Sequence, residues 1–198
     1  VACVGYLASR GIPRAHAAMP ELRVDWNIFR QSWSILRLGL QQQTPSVSRS
    51  LVGSSWFWFL GAIYLTQIPA YAKEWLHGDE SVVTLILTVF SVGIALGSML
   101  CEKLSGRKVE IGLVPFGSIG LTLFGIDLFF ASPATAPVGA PLALGSLLAV
   151  SGVWRVLFDL LMLGVFGGFF IVPMYALVQL RSSPEHRARI IAANNILN

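Results

Sequence analysis

Within residues 156–180, VLFDLLMLGVFGGFFIVPMYALVQL, the only charged side chain is Asp159, and it follows Arg155 by four residues. A carboxylate set among apolar residues can bind a cationic group, carry a proton, or pair with an arginine one helical turn away. The first two uses are functional. The third is structural, and it suits a residue close to the start of the run. A second polar set interrupts SSWFWFLGAIYLTQIP (54–69), where Tyr64 and Gln67 offer neutral hydrogen-bonding groups. Pro69 lies just beyond Gln67 and would free a backbone carbonyl within a helix. Asp127 stands near the end of a further apolar run, where snorkelling to the boundary is its structural role.

Covalent and metal chemistry find no comparable arrangement. The sequence holds no nucleophile elbow, no P-loop, no His-x4-Asp acyltransferase motif and no cofactor fingerprint. Cys3 and Cys101 form no CxxC pair, and His16, His77 and His186 lie far apart in polar stretches. The pattern points neither to a disulfide framework nor to a metal site.

The elements that must position these residues are long apolar runs. About 25 residues of helix span roughly 37 Å, enough to cross a bilayer with some tilt. The chain is 55% hydrophobic and 12% charged, about half the charge of a soluble domain. Its mean hydropathy is +0.68. The 19 glycines and 10 prolines suit packed membrane helices. The expected fold is therefore all-α, a polytopic membrane helix bundle. Residues 1–9 read as the end of a membrane helix and 10–48 as a basic linker. Four spans follow at about 49–72, 82–100, 111–131 and 156–180. Residues 132–141 form a Pro/Ala-rich loop, and 142–153 are apolar but too short to span. Residues 182–198 read as a loop and the start of another helix. The first residue is not Met, and the last residues read as an opening helix, so a piece of a longer polypeptide is expected.

All but two of the 14 Lys and Arg residues fall in three alternating segments. The linker holds Arg10, Arg14, Arg23, Arg30, Arg37 and Arg49, the 102–110 loop holds Lys103, Arg107 and Lys108, and the tail holds Arg181, Arg187 and Arg189. These segments are expected on the cytoplasmic side, and the loops with Lys73 and Arg155 outside. Basic residues spread among loops between spans argue against nucleic-acid binding. Trp56, Trp58, Trp75 and Trp154 are expected near membrane boundaries. In the linker, Trp26, Phe29, Trp33 and Leu36 recur on one helix face, with Arg30 and Arg37 off that stripe. That helix either lies on the inner membrane surface or packs beneath the bundle. Gly93 and Gly97 form a GxxxG pair, and Gly164, Gly167 and Gly168 cluster in the last span. Close packing is their expected role. A hinge at Gly167, Gly168 and Pro173 is the functional alternative, and Asn194 and Asn195 are gate candidates.

The loop GSMLCEKLSGRK (97–108) resembles the signature loop of the major facilitator superfamily. Gly97, Glu102, Lys103, Gly106, Arg107 and Lys108 match its glycines, acid and bases, with the acid one position late and Cys101 in its usual place. Residues 152–198 and 54–69 resemble bacterial lysophospholipid transporters of that superfamily, closest to those fused to an acyltransferase and an acyl-acyl-carrier-protein ligase. The resemblance covers essentially the whole chain. It implies the end of helix six, the linker between halves, helices seven to ten and the start of helix eleven. It also implies a secondary transporter in the bacterial inner membrane that moves or flips lysophospholipid. Tyr64, Gln67 and Asp159 would then line a cavity. No cofactor, metal or catalytic residue is expected in this segment. The alternatives are the membrane portion of a bifunctional acyltransferase and a facilitator for another amphiphile or drug.

Overall fold

The computed structural model describes residues 2–11, 19–21, 26–41, 44–106, 110–131 and 141–198. Arg14, His16, Arg23, Arg107, Lys108 and most of the 132–141 loop lie outside the described residues. Among the described residues, the regular elements are eight helices: α1 (Ala2–Ser9), α2 (Ile28–Leu40), α3 (Pro45–Glu74), α4 (Glu80–Leu104), α5 (Leu113–Phe130), α6 (Leu144–Leu148), α7 (Val153–Arg181) and α8 (Arg187–Leu197). Four of them, α3, α4, α5 and α7, are long and apolar enough to cross a membrane. The fold is the expected all-helical, polytopic bundle.

Local chemistry sets the helix ends. Asn27 caps α2 by accepting from the Arg30 amide at 3.1 Å. Pro45 opens α3 in the first helical turn, where its missing N–H costs nothing. Asp79 caps α4, accepting from the amides of Ser81 at 2.9 Å and Val82 at 3.3 Å. The turn before it is strapped to the segment leading into α6. There the Leu142 amide donates to His77 O at 2.7 Å, and the Asp79 amide donates to Leu142 O at 3.1 Å. Gly106 ends the α4 turn at φ +57, a backbone region that favours glycine. Helices α3 and α7 run on through Pro69 and Pro173.

Helix α7 is the core. Most of its residues are buried, whereas α3, α4 and α5 are largely exposed, so those three surround it. Small residues make this possible. A Cβ on Gly97 would stand 2.1 Å from Val165 O, and one on Gly164 would stand 2.5 Å from Phe90 O. The α4 and α7 backbones are therefore in direct contact, as glycine seams allow where lipid offers no hydrophobic drive. On the α5 side, Gly120 admits the Phe166 ring, and Phe116 and Phe124 pack on it at centroid distances of 5.2 and 5.5 Å.

The arginine-rich ends of α3 and α7 meet α2 and α8. Val47, Leu51, Leu177, Val178 and Ile190 form a small core there. Arg181 donates to Ser46 Oγ and Arg189 to Ser34 Oγ, each at 3.1 Å.

Candidate functional site on the central helix

Two polar centres sit on α7, one toward each end. The first joins Asp127 near the end of α5 with Arg155 and Asp159 in the first turns of α7. The sequence left Asp159 free to pair with Arg155. The structure gives Arg155 to Asp127 instead, with Nε donating to Oδ2 at 3.1 Å and Nη2 donating to Oδ1. The physical reason is position. Arg155 is exposed at the helix surface and reaches across to α5, while Asp159 points into the packing. Asp159 is 1% exposed, and no amide, hydroxyl or guanidinium donor reaches its carboxylate oxygens, while its side chain stands within hydrogen-bond range of the Asp127 carboxyl. It remains within electrostatic range of both Asp127 and Arg155. A buried carboxylate without a direct counter-charge is costly. A proton or a cationic group is what would neutralise it. Asp127, which sequence reasoning left with a structural role, is the half of the pair that decides Asp159's surroundings.

The second centre was not recognised from sequence. Tyr175 of α7 accepts at Oη from Trp58 Nε1 of α3 at 2.6 Å and from Asn198 Nδ2 at 3.2 Å. Ser55 Oγ donates to Asn198 Oδ1 at 3.2 Å. These four neutral groups tie α3, α7 and the end of α8 together and stay open to the surroundings. The available signal was the i, i+3 spacing of Ser55 and Trp58 on one face of α3. Trp56 and Trp58 were expected at a membrane boundary. They lie 11 and 13 residues into α3, roughly 16–20 Å along its axis. Trp58 donates its indole N–H to Tyr175.

An apolar groove of about 590 Å³ runs between α3 and α5 over Leu163 of α7. Phe57, Leu60 and Tyr64 form its α3 wall, and Gly125, Ile126 and Phe129 its α5 wall. Tyr64 thus faces this groove, Gln67 is exposed outside its lining, and Asp159 is sealed in the α7 packing. The three residues expected in one cavity stand in three different surroundings.

In the signature loop, Gly97 is buried at the α4–α7 seam, while Glu102 and Lys103 are exposed near Gly106. Gly168 packs on Gly97, and Gly167 faces the Phe57 ring. Pro69 is exposed and Pro173 buried. Asn194 is buried with its Oδ1 unpartnered, and Asn195 is exposed.

Comparison with known proteins gives relatives of one kind. The chain is 28% identical over 189 residues to the lysophospholipid transporter LplT of Escherichia fergusonii, which covers 93% of this chain and 42% of that protein. It matches LplT of Shigella boydii to the same extent. LplT of Cronobacter sakazakii is 30% identical over 149 residues, 75% of this chain and 31% of that protein. The chain therefore spans about two fifths of the length of the curated relatives it matches most fully. No family model and no solved structure matches it. The four apolar helices and these relatives together make the chain a multi-pass membrane protein.

Proposed function

We propose that this homologue of bacterial lysophospholipid transporters is part of a secondary transporter that moves or flips lysophospholipid across the bacterial inner membrane. The observation that carries this reading is the relationship along 93% of the chain to proteins bearing that name. The geometry supports it. Helix α3 borders an apolar groove and, on another face, an open neutral polar cluster. An amphiphile with an acyl chain and a polar head asks for that pairing.

The reading assigns α3, α4, α5 and α7 to helices seven to ten of a major facilitator bundle, with α8 opening helix eleven. The arginine-rich end then faces the cytoplasm. Transport follows from rocking of two halves about a central site. In that motion the α4–α7 glycine seam moves as a unit, and the 97–108 loop locks and releases at the inner side. Pro69, Gly167, Gly168 and Pro173 absorb the bending, and Asn194 and Asn195 contribute to the inner gate. A fused or partner acyltransferase would re-acylate the delivered substrate.

The test is uptake of radiolabelled lysophosphatidylethanolamine by spheroplasts of a bacterial strain deleted for its own lysophospholipid transporter. The full-length gene is restored by plasmid. Uptake well above the empty-vector control is expected. Background uptake, with the protein present in the membrane, would overturn the substrate assignment.

A further inference from the structure

Helix α2 shows two unlike sides, and only one is used by the bundle. On the inner side, Gly39 is buried, and a Cβ there would stand 2.8 Å from Ala193 Cβ of α8 and 3.1 Å from Leu51 of α3. Ser34 accepts from Arg189 on α8. The outer side carries the aromatic stripe. Just before α2 Trp26 is 90% exposed, and within it Phe29 is 89% and Trp33 70% exposed, with Leu40 at its end also uncovered. At 100° per residue, Arg30 and Arg37 fall along one edge of that stripe.

The sequence allowed the stripe either to pack beneath the bundle or to lie on a membrane surface. The packing observed uses the opposite face. The remaining surface combines two indoles, a phenyl ring and two guanidinium groups at the arginine-rich end of the bundle. Indoles favour the headgroup level, and arginines bordering an apolar stripe favour anionic lipid. We propose that the Trp26–Phe29–Trp33 stripe of α2, edged by Arg30 and Arg37, seats this helix on an anionic lipid headgroup layer. It would act as a fixed interfacial anchor beside the moving helices. Helix α2 would rest on this surface whatever the bundle transports.

Tryptophan emission of the chain in lipid nanodiscs tests it. Subtracting the emission of a Trp26→Phe/Trp33→Phe variant isolates these two indoles from the other four. In discs with brominated acyl chains and about a third phosphatidylglycerol, that difference emission should lose roughly half its intensity or more, while aqueous iodide has little effect. All-phosphatidylcholine discs, and an Arg30→Gln/Arg37→Gln variant in anionic discs, should each give weaker quenching by bromolipid. If the double tryptophan variant does not fold, Phe29→Trp reads the same surface as a gain of bromolipid-quenchable emission. Strong iodide quenching without bromolipid quenching would overturn the proposal, because the stripe would lie in water. Protection from both quenchers would also overturn it, because protein would cover the stripe. Equal quenching in neutral and anionic discs would remove the anionic lipid from it.

Discussion

The two polar centres of α7 differ in kind as well as in place. Toward its start, the Asp159 carboxyl is sealed in packing beside Asp127, and Arg155 is committed to Asp127. Toward its end, Tyr175 gathers neutral partners from α3 and α8 on an open surface. The first arrangement stores an unfavourable electrostatic situation that a proton or cation relieves. The second offers hydrogen bonds at little cost to a polar group that arrives from outside. One helix thus carries a sealed carboxyl and an open neutral cluster, with the α4–α7 glycine seam between them.

The largest expected effect breaks both centres at once. Gly164 lies between them, against the α4 backbone, and a Cβ there meets Phe90 O at 2.5 Å. Neither backbone can give way easily, so Gly164→Ala should destabilise the bundle by about 1–3 kcal/mol. Thermal unfolding in detergent should show a marked fall in Tm. Gly145→Ala, in open space on α6, should leave Tm unchanged. Equal behaviour of the two variants would mean that α4 and α7 are not in backbone contact.

A narrower change addresses the sealed centre alone. Asp159→Asn keeps shape and removes the buried charge. If the carboxylate serves coupling, the variant should be more stable to heat than the parent, yet uptake in the spheroplast assay should fall roughly tenfold or more. A rise in Tm with normal uptake would make Asp159 a structural residue and leave the open centre as the site. Asp127→Asn sharpens the point. It frees Arg155, whose nearest remaining carboxylate is Asp159, and so should reduce uptake without raising Tm.

What the sequence made legible was whatever depends on neighbours along the chain. The apolar run around Asp159 defined α7, the glycine spacing marked its packing faces, and the periodicity from Trp26 to Leu36 defined a stripe. What it left hidden depends on neighbours in space. Arg155 chooses Asp127 across 28 residues over Asp159, four residues away on its own helix. Tyr175 reads as one more aromatic residue in an apolar run until Trp58 and Asn198 are placed beside it. The α2 stripe likewise has a period but no direction until α8 occupies the other side. Tyr64, Gln67 and Asp159 were polar interruptions at plausible depths, and depth does not fix which way a side chain faces.

For the open centre the expected effect is smaller. Tyr175→Phe removes the shared acceptor of Trp58 and Asn198 but leaves the ring in place. Each lost hydrogen bond is worth about 0.5–1.5 kcal/mol. The KM for lysophospholipid uptake should rise about threefold to tenfold with the maximal rate nearly unchanged, and Tm should fall by a few degrees. A lower maximal rate at unchanged KM would assign Tyr175 to the motion rather than to recognition.

The smallest effect lies at the same end as the sealed centre but in water, and it separates charge that caps from charge that couples. Asp79 holds the first turn of α4, and the Ser81 hydroxyl together with the Ser81 and Val82 amides keeps its carboxyl below the ordinary value of 3.8. Because the folded value is lowered, its stabilising contribution is complete above that ordinary value and is lost as pH falls through the lowered one. Asp79→Asn should therefore reduce Tm slightly at pH 7, and the difference from the parent should close at low pH. Uptake at pH 7 should stay close to that of the parent, unlike Asp159→Asn. A Tm difference that persists unchanged at low pH would show that the amide fails in shape rather than in charge. A large loss of uptake would mean that the strap joining the α3–α4 turn to the approach of α6 takes part in transport.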